Sequence, residues 1–491
     1  MPPAVERYQL APGLEISRIV TGLWQVADME RDGGQLDLDA AAKAMQGYND
    51  AGLTSFDMAD HYGSAEAIAG RWRQIHSPHA DNAQFLTKWV PAPFRDSAPI
   101  SPRDVRDAVQ RSLDRLHSDR IDLLQYHAWR FDDARWLEHL WTLQELKHEG
   151  LVRHIGLTNF DTAHLRIAVT SGVEIASNQV SYSVIDGRAR GRMTEFCASR
   201  NIALLAYGTL AGGFVSPRWL NQPEPDWDAL ATWSMMKYGR FIRSAGGWDA
   251  FQCTLRALHA VAERHGVSMP NVACRYVLDQ PAVAGVIVGA RLGEREHVAD
   301  NLRVFQLRLD ASDRQMIAEA SDTLRAIPGD CGDEYRRPPF LTASGDLSHH
   351  VTAFCAPFDV KTGADGRVVA LSGTSWEKLA GFGRAVRIGN HIFVSGTTAA
   401  HRERGISPAD PVAQAHFVID KIAGALRSLG AQLEDVVRTR VFVRDLKDWE
   451  AVARVHGERF AEIQPANTLV QSGLVGDDFV LEMEAEAIVR P

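Results

Sequence analysis

The stretch SPRDVRDAVQRSLDRLHSDRIDLLQYHA, residues 101–128, holds a helix pattern followed directly by a strand pattern. Ser101 suits a helix N-cap and Pro102 suits the first helical position. Apolar side chains then recur at helical spacing on one face, at positions 105, 109, 113 and 116. The apolar run 121–128 has the length of a strand. A helix that leads into such a strand is the repeating unit of an α/β fold.

The same alternation continues on both sides of this unit, over residues 16–325. Eight β-rich runs are separated by helical segments; they are 15–24, 53–59, 84–89, 121–128, 153–160, 174–183, 202–209 and 283–290. Eight strands with crossover helices predict an α/β fold of the closed (β/α)8 TIM barrel type. The alternative is an open doubly wound sheet, but no G-x-G-x-x-G follows the first run.

The spacing between the seventh and eighth runs is much longer than elsewhere. It contains a loop rich in aromatic, Pro and Gly residues, centred on 212–247, and two predicted helices at 249–265 and 270–279. Such a loop at this end of a barrel is either a lid over a pocket or an extra packing element.

After residue 325 the alternation stops, and residues 326–370 read as a tail and linker rich in Gly, Pro and polar residues. Residues 1–325 are the predicted barrel domain. Residues 371–491 predict a small α+β domain with the order β-β-α-β-α-β. Its first two strands form a hairpin with a Gly389–Asn390 turn. The last run, FVLEMEAEAIV, alternates strictly and predicts a strand with one buried face.

Bulk composition limits the classes of function. Of the 491 residues 45% are apolar, and the net charge of -9 is spread along the chain. No basic stripe of the kind that binds nucleic acid is present, and no apolar run reaches membrane-spanning length. The N-terminus lacks a signal-peptide pattern. Five scattered cysteines without C-x-x-C predict a reducing cytoplasm, no disulfide framework and no bound metal.

Polar and aromatic residues follow each predicted strand. In a barrel of this type the chemistry lies at the carboxyl ends of the strands, so these residues should line one pocket. In chain order they are Trp24, Gln25, Asp57, Tyr62, Lys88, His127, Thr158, Asn159, Gln179, Tyr207, Gly289 and Arg291.

Four of these residues form a chemically coherent set: Asp57, Tyr62, Lys88 and His127. A tyrosine hydroxyl, with a pKa of about 10, is a poor acid at neutral pH unless an ammonium lowers that pKa. A carboxylate beside the ammonium keeps the lysine charged, and a neutral imidazole can donate a hydrogen bond to a carbonyl oxygen. The set therefore predicts carbonyl reduction, in which a hydride reaches carbon and a proton reaches oxygen.

The motifs FDMADHYGSAE, FLTKW, IDLLQYH, IGLTNF, NQVSYS and LLAYGTLAGG resemble those of the aldo-keto reductases, in order, over about residues 8–325. The resemblance implies a (β/α)8 barrel that uses NAD(P)H, with Tyr62 as general acid, Lys88 and Asp57 tuning it, and His127 orienting the carbonyl. It also implies that Thr158, Asn159 and Gln179 hold the nicotinamide carboxamide. By the same resemblance the other cofactor-binding residues are Trp24, Tyr207, Gly208, Thr209, Leu210, Gly212, Gly289, Ala290, Arg291, Arg295 and Asn301.

The cofactor's 2′-phosphate site departs from the family pattern. Family members often place Lys-Ser and a downstream Arg after the eighth strand, whereas this chain has GARLGEREHVADN. Arg291 and Arg295 could meet a phosphate as planar forks, so NADPH is expected and NADH stays possible. Asn301 matches a position that contacts adenine in the family.

Residues 376–490 are similar to the Rid (YjgF-like) family of reactive enamine/imine deaminases. The resemblance implies trimers with ligand clefts between subunits. The family's catalytic arginine lies in a PAR motif, but here the motif reads PANT, with Asn467 in its place. An Asn amide carries no charge and no fork, so deamination is predicted to be weak or absent. Glu482 or Glu484 matches the family's acidic residue and either binds a ligand or is a paired carboxylate.

Three functional hypotheses follow from the sequence. The first is an NAD(P)H-dependent reductase of a small aldehyde or ketone whose C-terminal domain drives homo-oligomerisation, as a trimer or a multiple of it. The second is a bifunctional enzyme whose C-terminal domain hydrolyses an imine and whose barrel reduces the carbonyl product. The third is an NADP(H)-binding regulatory protein. The first is favoured because the charge that Rid chemistry needs is missing at Asn467.

Overall fold

The computed structural model describes residues 4–76, 82–91, 98–343 and 354–490. Its larger part is a closed barrel of eight parallel strands, which confirms the predicted fold class. A short antiparallel pair, β1 (Arg7–Ala11) and β2 (Leu14–Ser17), precedes the barrel. The barrel strands are β3 (Ile19–Gly22), β4 (Ser55–Asp57), β5 (Gln84–Trp89), β6 (Ile121–Tyr126), β7 (Val152–Thr158), β8 (Ile175–Ser181), β9 (Ala203–Tyr207) and β10 (Val283–Gly289).

Most helices of this part cover the outer face of the barrel, whereas α8 and α13 contribute to the cavity at its mouth. They are α1 (Trp24–Glu30), α2 (Leu38–Asp50), α3 (Ala65–His76), α4 (Pro102–Leu116), α5 (Arg135–His148), α6 (Thr162–Thr170), α7 (Arg192–Arg200), α8 (Trp233–Ser244), α9 (Trp248–His265), α10 (Met269–Leu278), α11 (Val298–Arg303), α12 (Ala311–Asp322) and α13 (Asp333–Arg336). None of the described helices combines the length and apolar character that crossing a bilayer requires.

Helix α4 forms as its sequence predicts. The Ser101 side chain accepts a hydrogen bond from the Asp104 amide, and the Asp104 carboxylate accepts from the Ser101 amide, so a capping box starts the helix. Val105, Val109 and Leu113 lie on its buried face against the barrel. Local capping and the apolar stripe therefore agree with the tertiary fold at this unit.

The first predicted strand, 15–24, is two strands in the structure. Residues Leu14–Ser17 pair antiparallel with β1, whereas Ile19–Gly22 pair parallel with β10 and β4 inside the barrel. Trp24 begins α1 instead of ending a strand. The break falls at Arg18, a charged residue between Ser17 and Ile19, and a single charged residue did not separate the two short strands in the sequence analysis.

The long loop after β9 also contains a helix that the sequence analysis did not predict. Helix α8 starts at Thr232, whose side chain accepts a hydrogen bond from the Met235 amide. Its sequence, WSMMKYGRFIRS, mixes large aromatic and basic residues, and Tyr238, Phe241 and Ile242 form its buried face. The surrounding Gly-, Pro- and Trp-rich segment concealed this amphipathic pattern in the sequence analysis.

The C-terminal part is a sheet of seven strands with helices on one face. Its elements are β11 (Asp359–Thr362), β12 (Val368–Leu371), α14 (Ser375–Ala380), β13 (Ala385–Ile388), β14 (His391–Thr398), β15 (Ala400–His401), β16 (Arg404–Gly405), α15 (Pro411–Ser428), β17 (Val436–Val443), α16 (Trp449–Phe460), β18 (Ala466–Gln471) and β19 (Leu481–Ile488). The sheet order is β11-β12-β13-β14-β19-β17-β18, with β15 and β16 as a separate pair.

Strand β11, and all of β12 except Leu371, fall inside the segment that the sequence indicated as a linker. A third, β18, contains the PANT residues and pairs parallel with β17 at the edge of the sheet. Its side chains are largely exposed, so it lacks the alternation that predicts a strand. The predicted hairpin is present, with Ile388 paired to His391 around the turn.

Candidate active site

A cavity of about 990 Å³ opens at the carboxyl ends of the barrel strands. Of the residues predicted for the site, all but Ala290 line it, and Ala290 is buried next to it. The lining set is Trp24, Gln25, Asp57, Tyr62, Lys88, His127, Thr158, Asn159, Gln179, Tyr207, Gly208, Thr209, Leu210, Gly212, Gly289, Arg291, Arg295 and Asn301. Tertiary structure thus brings residues from all eight strand ends to one cavity.

A buried ion pair lies at the bottom of the cavity. Lys88 Nζ donates to Asp57 Oδ2 at 2.6 Å and to the Met58 carbonyl at 3.0 Å. Asp57 Oδ1 accepts from the side-chain amides of Gln125 and Gln179, at 3.1 and 2.7 Å. Burial lowers the pKa of Lys88 below its ordinary value, and the Asp57 carboxylate opposes that shift. The pair is therefore held in one orientation by hydrogen bonds on both carboxylate oxygens.

Tyr62 lies in the turn between β4 and α3, beside this pair. Lys88 Nζ is 5.0 Å from the centre of the Tyr62 ring. Trp24 and His61 meet the same ring edge-on, at centroid distances of 4.9 and 4.8 Å. The Tyr62 ring is thus held next to a buried ammonium by aromatic contacts on its edges.

His127 is a buried neutral imidazole that faces the cavity. Burial lowers its pKa well below the ordinary value, and nearby cations, first among them Arg336, lower it further. Its Nε2 atom has no hydrogen-bond partner among the described residues. The Trp129 and Tyr335 rings flank the imidazole, each with a centroid distance of 4.9 Å. A neutral ring with an unused polar atom can donate to a ligand oxygen.

The ends of β7 and β9 are joined by hydrogen bonds. Tyr207 Oη lies 2.7 Å from Asn159 Oδ1 and 3.2 Å from Glu334 Oε1. Asn159 has a positive φ of 57°, a conformation that asparagine adopts more readily than most residues. Thr158 Oγ1 is buried in the cavity wall and has no partner among the described residues. This side of the cavity therefore offers Thr158 as an unused hydrogen-bonding group.

The loop after β9 crosses over the cavity and is tied to its opposite side. Trp24 Nε1 donates to Ser234 Oγ at 3.1 Å, and the Trp233 amide donates to Asp28 Oδ1 at 3.0 Å. Gly212 has a φ of 63°, and a Cβ there would lie 2.6 Å from the Ser234 carbonyl. Residues of this loop, among them Trp219, Trp233 and Ser234, line the cavity.

Arg291 is paired with carboxylates on both sides. Its Nη1 lies 3.1 Å from Asp28 Oδ2 and its Nε lies 2.7 Å from Glu294 Oε2. Arg295 forms an isolated bridge with Arg291 through the backbone. The guanidinium expected at a 2′-phosphate therefore already has two acidic neighbours.

Several residues of the cavity wall were missed by the sequence analysis. Lys237 is buried on α8, and its Nζ lies 2.6 Å from Tyr335 Oη and 5.0 Å from the Tyr207 ring centre. Tyr335 and Glu334 belong to α13, in the segment that the sequence indicated as a tail. The run DEYRR, with charged and aromatic residues together, was the available signal. The tail crosses the barrel mouth, a placement that no local pattern encodes.

In the C-terminal part, Asn467 of the PANT segment contacts neutral side chains. Asn467 Nδ2 donates to Thr439 Oγ1 at 2.9 Å, and Thr439 Oγ1 lies 2.8 Å from His456 Nε2. Glu484 is paired with Arg440 at 2.8 Å, whereas the pKa of Glu482 is raised mainly by burial. Glu484 is thus a paired carboxylate, and Glu482 is the more shielded of the two.

Comparison with known families and proteins gives two matches along the chain. A model of the Aldo/keto reductase family matches residues 18–322, and a model of the Endoribonuclease L-PSP family matches residues 373–489. The chain is 27% identical to 6-dehydroglucose reductase of Agrobacterium fabrum over 317 residues. The match spans 61% of this chain and 93% of that protein.

Two further relatives match single parts of the chain. An uncharacterized protein of Streptomyces coelicolor is 35% identical over 117 residues, which are 24% of this chain and 87% of that protein. Flagellar radial spoke protein 5 of Chlamydomonas reinhardtii is 26% identical over 258 residues, 45% of this chain. The chain spans only 49% of the length of that protein.

Proposed function

The chain belongs to the Aldo/keto reductase family and carries a C-terminal domain of the Endoribonuclease L-PSP (Rid) family, and from this premise we propose that it reduces small aldehydes or ketones with a nicotinamide dinucleotide. The observation that supports this most is the buried Lys88–Asp57 pair beside Tyr62, with the neutral His127 on the same cavity.

The cavity suits a dinucleotide in size and in chemistry. Its volume of about 990 Å³ lies at the upper end of the range of ligand pockets. The buried polar atom at Thr158 Oγ1 is available to a carboxamide, and Asn159 and Gln179 lie on the same side. The lid and the glycine-containing loop 208–213 would cover the pyrophosphate. When bound, the dinucleotide supplies the hydride.

The chain's own residues would handle the proton and the carbonyl. His127 would donate a hydrogen bond to the carbonyl oxygen and so orient it, because the imidazole stays neutral at physiological pH. Tyr62 would give its proton to the same oxygen as the charge develops there. Lys88 would stabilise the resulting phenolate, and Asp57 would hold the ammonium in place.

We assign NADPH as the expected cofactor, with NADH as the alternative. Arg291 and Arg295 lie at the end of the cavity that the adenosine would reach, together with Asn301. Asp28 and Glu294 already pair with Nη1 and Nε of Arg291, so a 2′-phosphate would share this guanidinium with two carboxylates. Comparison of the Kd for NADPH with that for NADH decides between the two.

For the C-terminal domain we propose self-association rather than catalysis. The face of its sheet opposite α15 exposes Ile388, Phe393 and Val470, at 51%, 47% and 43%. Exposed apolar side chains on one sheet face indicate an association surface. Asn467 meets Thr439 and His456 where the deaminases of this family have an arginine, so no charged fork is present there for a substrate carboxylate.

The first experiment measures oxidation of NADPH and NADH with a panel of aldehydes and ketones, using the full chain and a Tyr62→Phe variant. Loss of the proton donor should lower kcat by about 100-fold or more, with little change in cofactor Kd. Tyr8→Phe, on β1 at the other end of the barrel, is the matched control. Near-normal turnover by Tyr62→Phe would show that another group is the acid. Cofactor binding with no turnover of any carbonyl by the unmodified chain would support the regulatory hypothesis.

A further inference from the structure

A buried charge network joins the barrel to the C-terminal domain. His164, on α6 of the barrel, is held between two carboxylates: its Nδ1 lies 2.7 Å from Asp161 Oδ2 and its Nε2 lies 2.8 Å from Asp420 Oδ2. Asp420 belongs to α15 of the C-terminal domain, and its other oxygen accepts from Arg459 at 2.8 Å. Asp161, His164 and Asp420 are all at most 7% exposed. A histidine between two buried carboxylates is held in one orientation.

This network begins two residues after Asn159. Asp161 is the N-cap of α6, and its carboxylate accepts from the His164 amide, so the network fixes the start of that helix. Thr158 ends β7 and Asn159 follows it, both on the cavity wall, and only Phe160 separates them from Asp161. A shift of Asp161 would therefore move the segment proposed to hold the carboxamide.

A second route reaches the same segment from the other side of His164. The His164 imidazole stacks on Phe131, with a centroid distance of 3.5 Å and an interplanar angle of 10°. The buried Arg336 guanidinium lies 4.3 Å from the centre of the same ring. Arg336 Nη2 donates to the carbonyls of Asn159 and Ala128, at 2.5 and 3.1 Å. The backbone of the Thr158–Asn159 segment is thus linked to His164 by two routes.

The two domains also meet through other contacts. Arg166 pairs with Asp410, Glu138 with His401 and Arg402, Arg192 with Glu458, and Arg427 with Asp132, and Thr170 Oγ1 donates to the buried Ser407 hydroxyl. The Arg192–Glu458 pair has side chains 69% and 44% exposed, and such pairs contribute little to stability. Asp420 differs from all of these because its contact leads directly to the cavity wall.

We propose that Asp420 of the C-terminal domain is a positioning residue for the dinucleotide site of the barrel, acting through His164 and Asp161 on the Thr158–Asn159 segment. The C-terminal domain is then part of the reductase site and not only an attached module. This inference rests on the proposed dinucleotide binding, which the unmodified chain tests separately.

The first test compares dinucleotide affinity of full-length Asp420→Asn and Glu458→Gln variants by fluorescence titration with NADPH and NADH. Both remove one interface carboxylate, but only Asp420 contacts His164. Asp420→Asn should raise the Kd about five- to tenfold, at the lower end of couplings typically seen between linked sites. Glu458→Gln should bind like the unmodified chain.

A double-mutant cycle separates the proposed route from general loosening. If Asp420 acts through His164, a His164→Gln substitution should raise the Kd by itself, and adding Asp420→Asn should then cost little more. Full additivity of the two effects would overturn the proposal. If Asp420→Asn does not fold, Arg459→Gln is tested in its place. Arg459 is the second hydrogen-bond partner of the Asp420 carboxylate, so this variant disturbs the same carboxylate.

The pH dependence of the Kd provides a readout that simple loss of packing would not change. Burial lowers the pKa of His164, but its two carboxylate partners more than offset this, so the pKa is raised overall. The ion pairs of His164 with Asp161 and Asp420 are therefore fully formed below the ordinary histidine pKa, and they are lost as pH rises through the raised pKa of His164. Without Asp420, that loss should begin at lower pH. The titratable and charged groups around His164 are Asp161 and Asp420 on the imidazole itself, His416 beside it, and Arg459 and Arg336 on the two carboxylates.

The outcomes are distinguishable. Failure of the unmodified chain to bind either dinucleotide refutes the proposed function. Tight binding by the unmodified chain together with an unchanged Kd and an unchanged pH profile in Asp420→Asn leaves the function standing and refutes this inference. A raised Kd in Asp420→Asn, an earlier loss with pH and normal behaviour of Glu458→Gln support it.

Discussion

Lys88 is a charged side chain that is almost completely removed from water, with 2% of its surface exposed. Burying an ammonium is costly unless a counter-charge and hydrogen bonds replace the lost water. Asp57 and the Met58 carbonyl supply these partners, and Gln125 and Gln179 in turn hold Asp57. Such an arrangement is costly as a purely structural feature, which is why it supports a catalytic role for the residues around it.

Buried neutral histidines make the stability of the barrel depend on pH. His139 on α5 lies 2.8 Å from Tyr126 Oη, and burial lowers its pKa to about 4. The unfolded chain takes up this proton near pH 6.5, whereas the folded chain resists until about pH 4, so unfolding becomes easier as pH falls through that window.

We therefore predict a smaller acid sensitivity for His139→Gln. From pH 7 to pH 5 the unmodified chain should lose about 2 kcal/mol of unfolding free energy through this histidine. Over the same interval, His139→Gln should lose about 2 kcal/mol less unfolding free energy than the unmodified chain, whatever its stability at pH 7. Urea unfolding at the two pH values measures the difference, and His148→Gln, which replaces an exposed histidine at the end of the same helix, is the control. Equal losses in the variant and the unmodified chain would contradict the assignment.

At the scale of single elements, α8 lines the cavity, and we propose that it acts as a lid. It is tied to the far side by the Trp24–Ser234 and Asp28–Trp233 hydrogen bonds and covers the loop around Gly212. A bound dinucleotide beneath it would need these contacts to open for exchange. Lid closure on such contacts slows ligand release more than it changes the chemistry.

Ser234→Ala should therefore speed the release of the cofactor. The indole of Trp24 loses a hydrogen bond, which is worth about 0.5–1.5 kcal/mol, so the dissociation rate should rise about two- to tenfold. Stopped-flow displacement of NADPH measures this rate directly. Ser244→Ala at the other end of α8 is the control, and an unchanged dissociation rate in Ser234→Ala would show that this contact does not restrain the lid.

At the scale of the whole molecule, the two faces of the C-terminal domain differ: one packs on the barrel and the other is exposed. Helix α15 faces α6 of the barrel through the Asp420 network, while the exposed sheet face carries Ile388, Phe393 and Val470. Arg440 bridges Glu484 and Glu486 on that face, so charged pairs lie beside the apolar residues. Association through this face would leave the barrel cavities free.

Phe393→Glu should break the proposed self-association of the C-terminal domain. A carboxylate in place of a phenyl ring would be costly to bury between subunits, and Phe393 pairs across the strands with Glu486, so like charges would also meet. Light scattering after size exclusion should show the mass of one chain, 54.2 kDa, for the variant and a multiple of it for the unmodified protein. Ile75→Glu, at an exposed apolar position on the barrel, should leave the mass unchanged.

The sequence by itself determined the barrel, its strand order and the residues at the strand ends, because period, capping and exit residues are local properties of each unit, as at Ser101 and Asp57. Only the tertiary structure decided where the chain crosses the barrel mouth. Tyr335 and Lys237 enter the cavity, and Asp420 reaches His164 across 256 positions of sequence. Those placements depend on packing between distant segments, and a surface-crossing segment carries no periodic pattern that would reveal its partner.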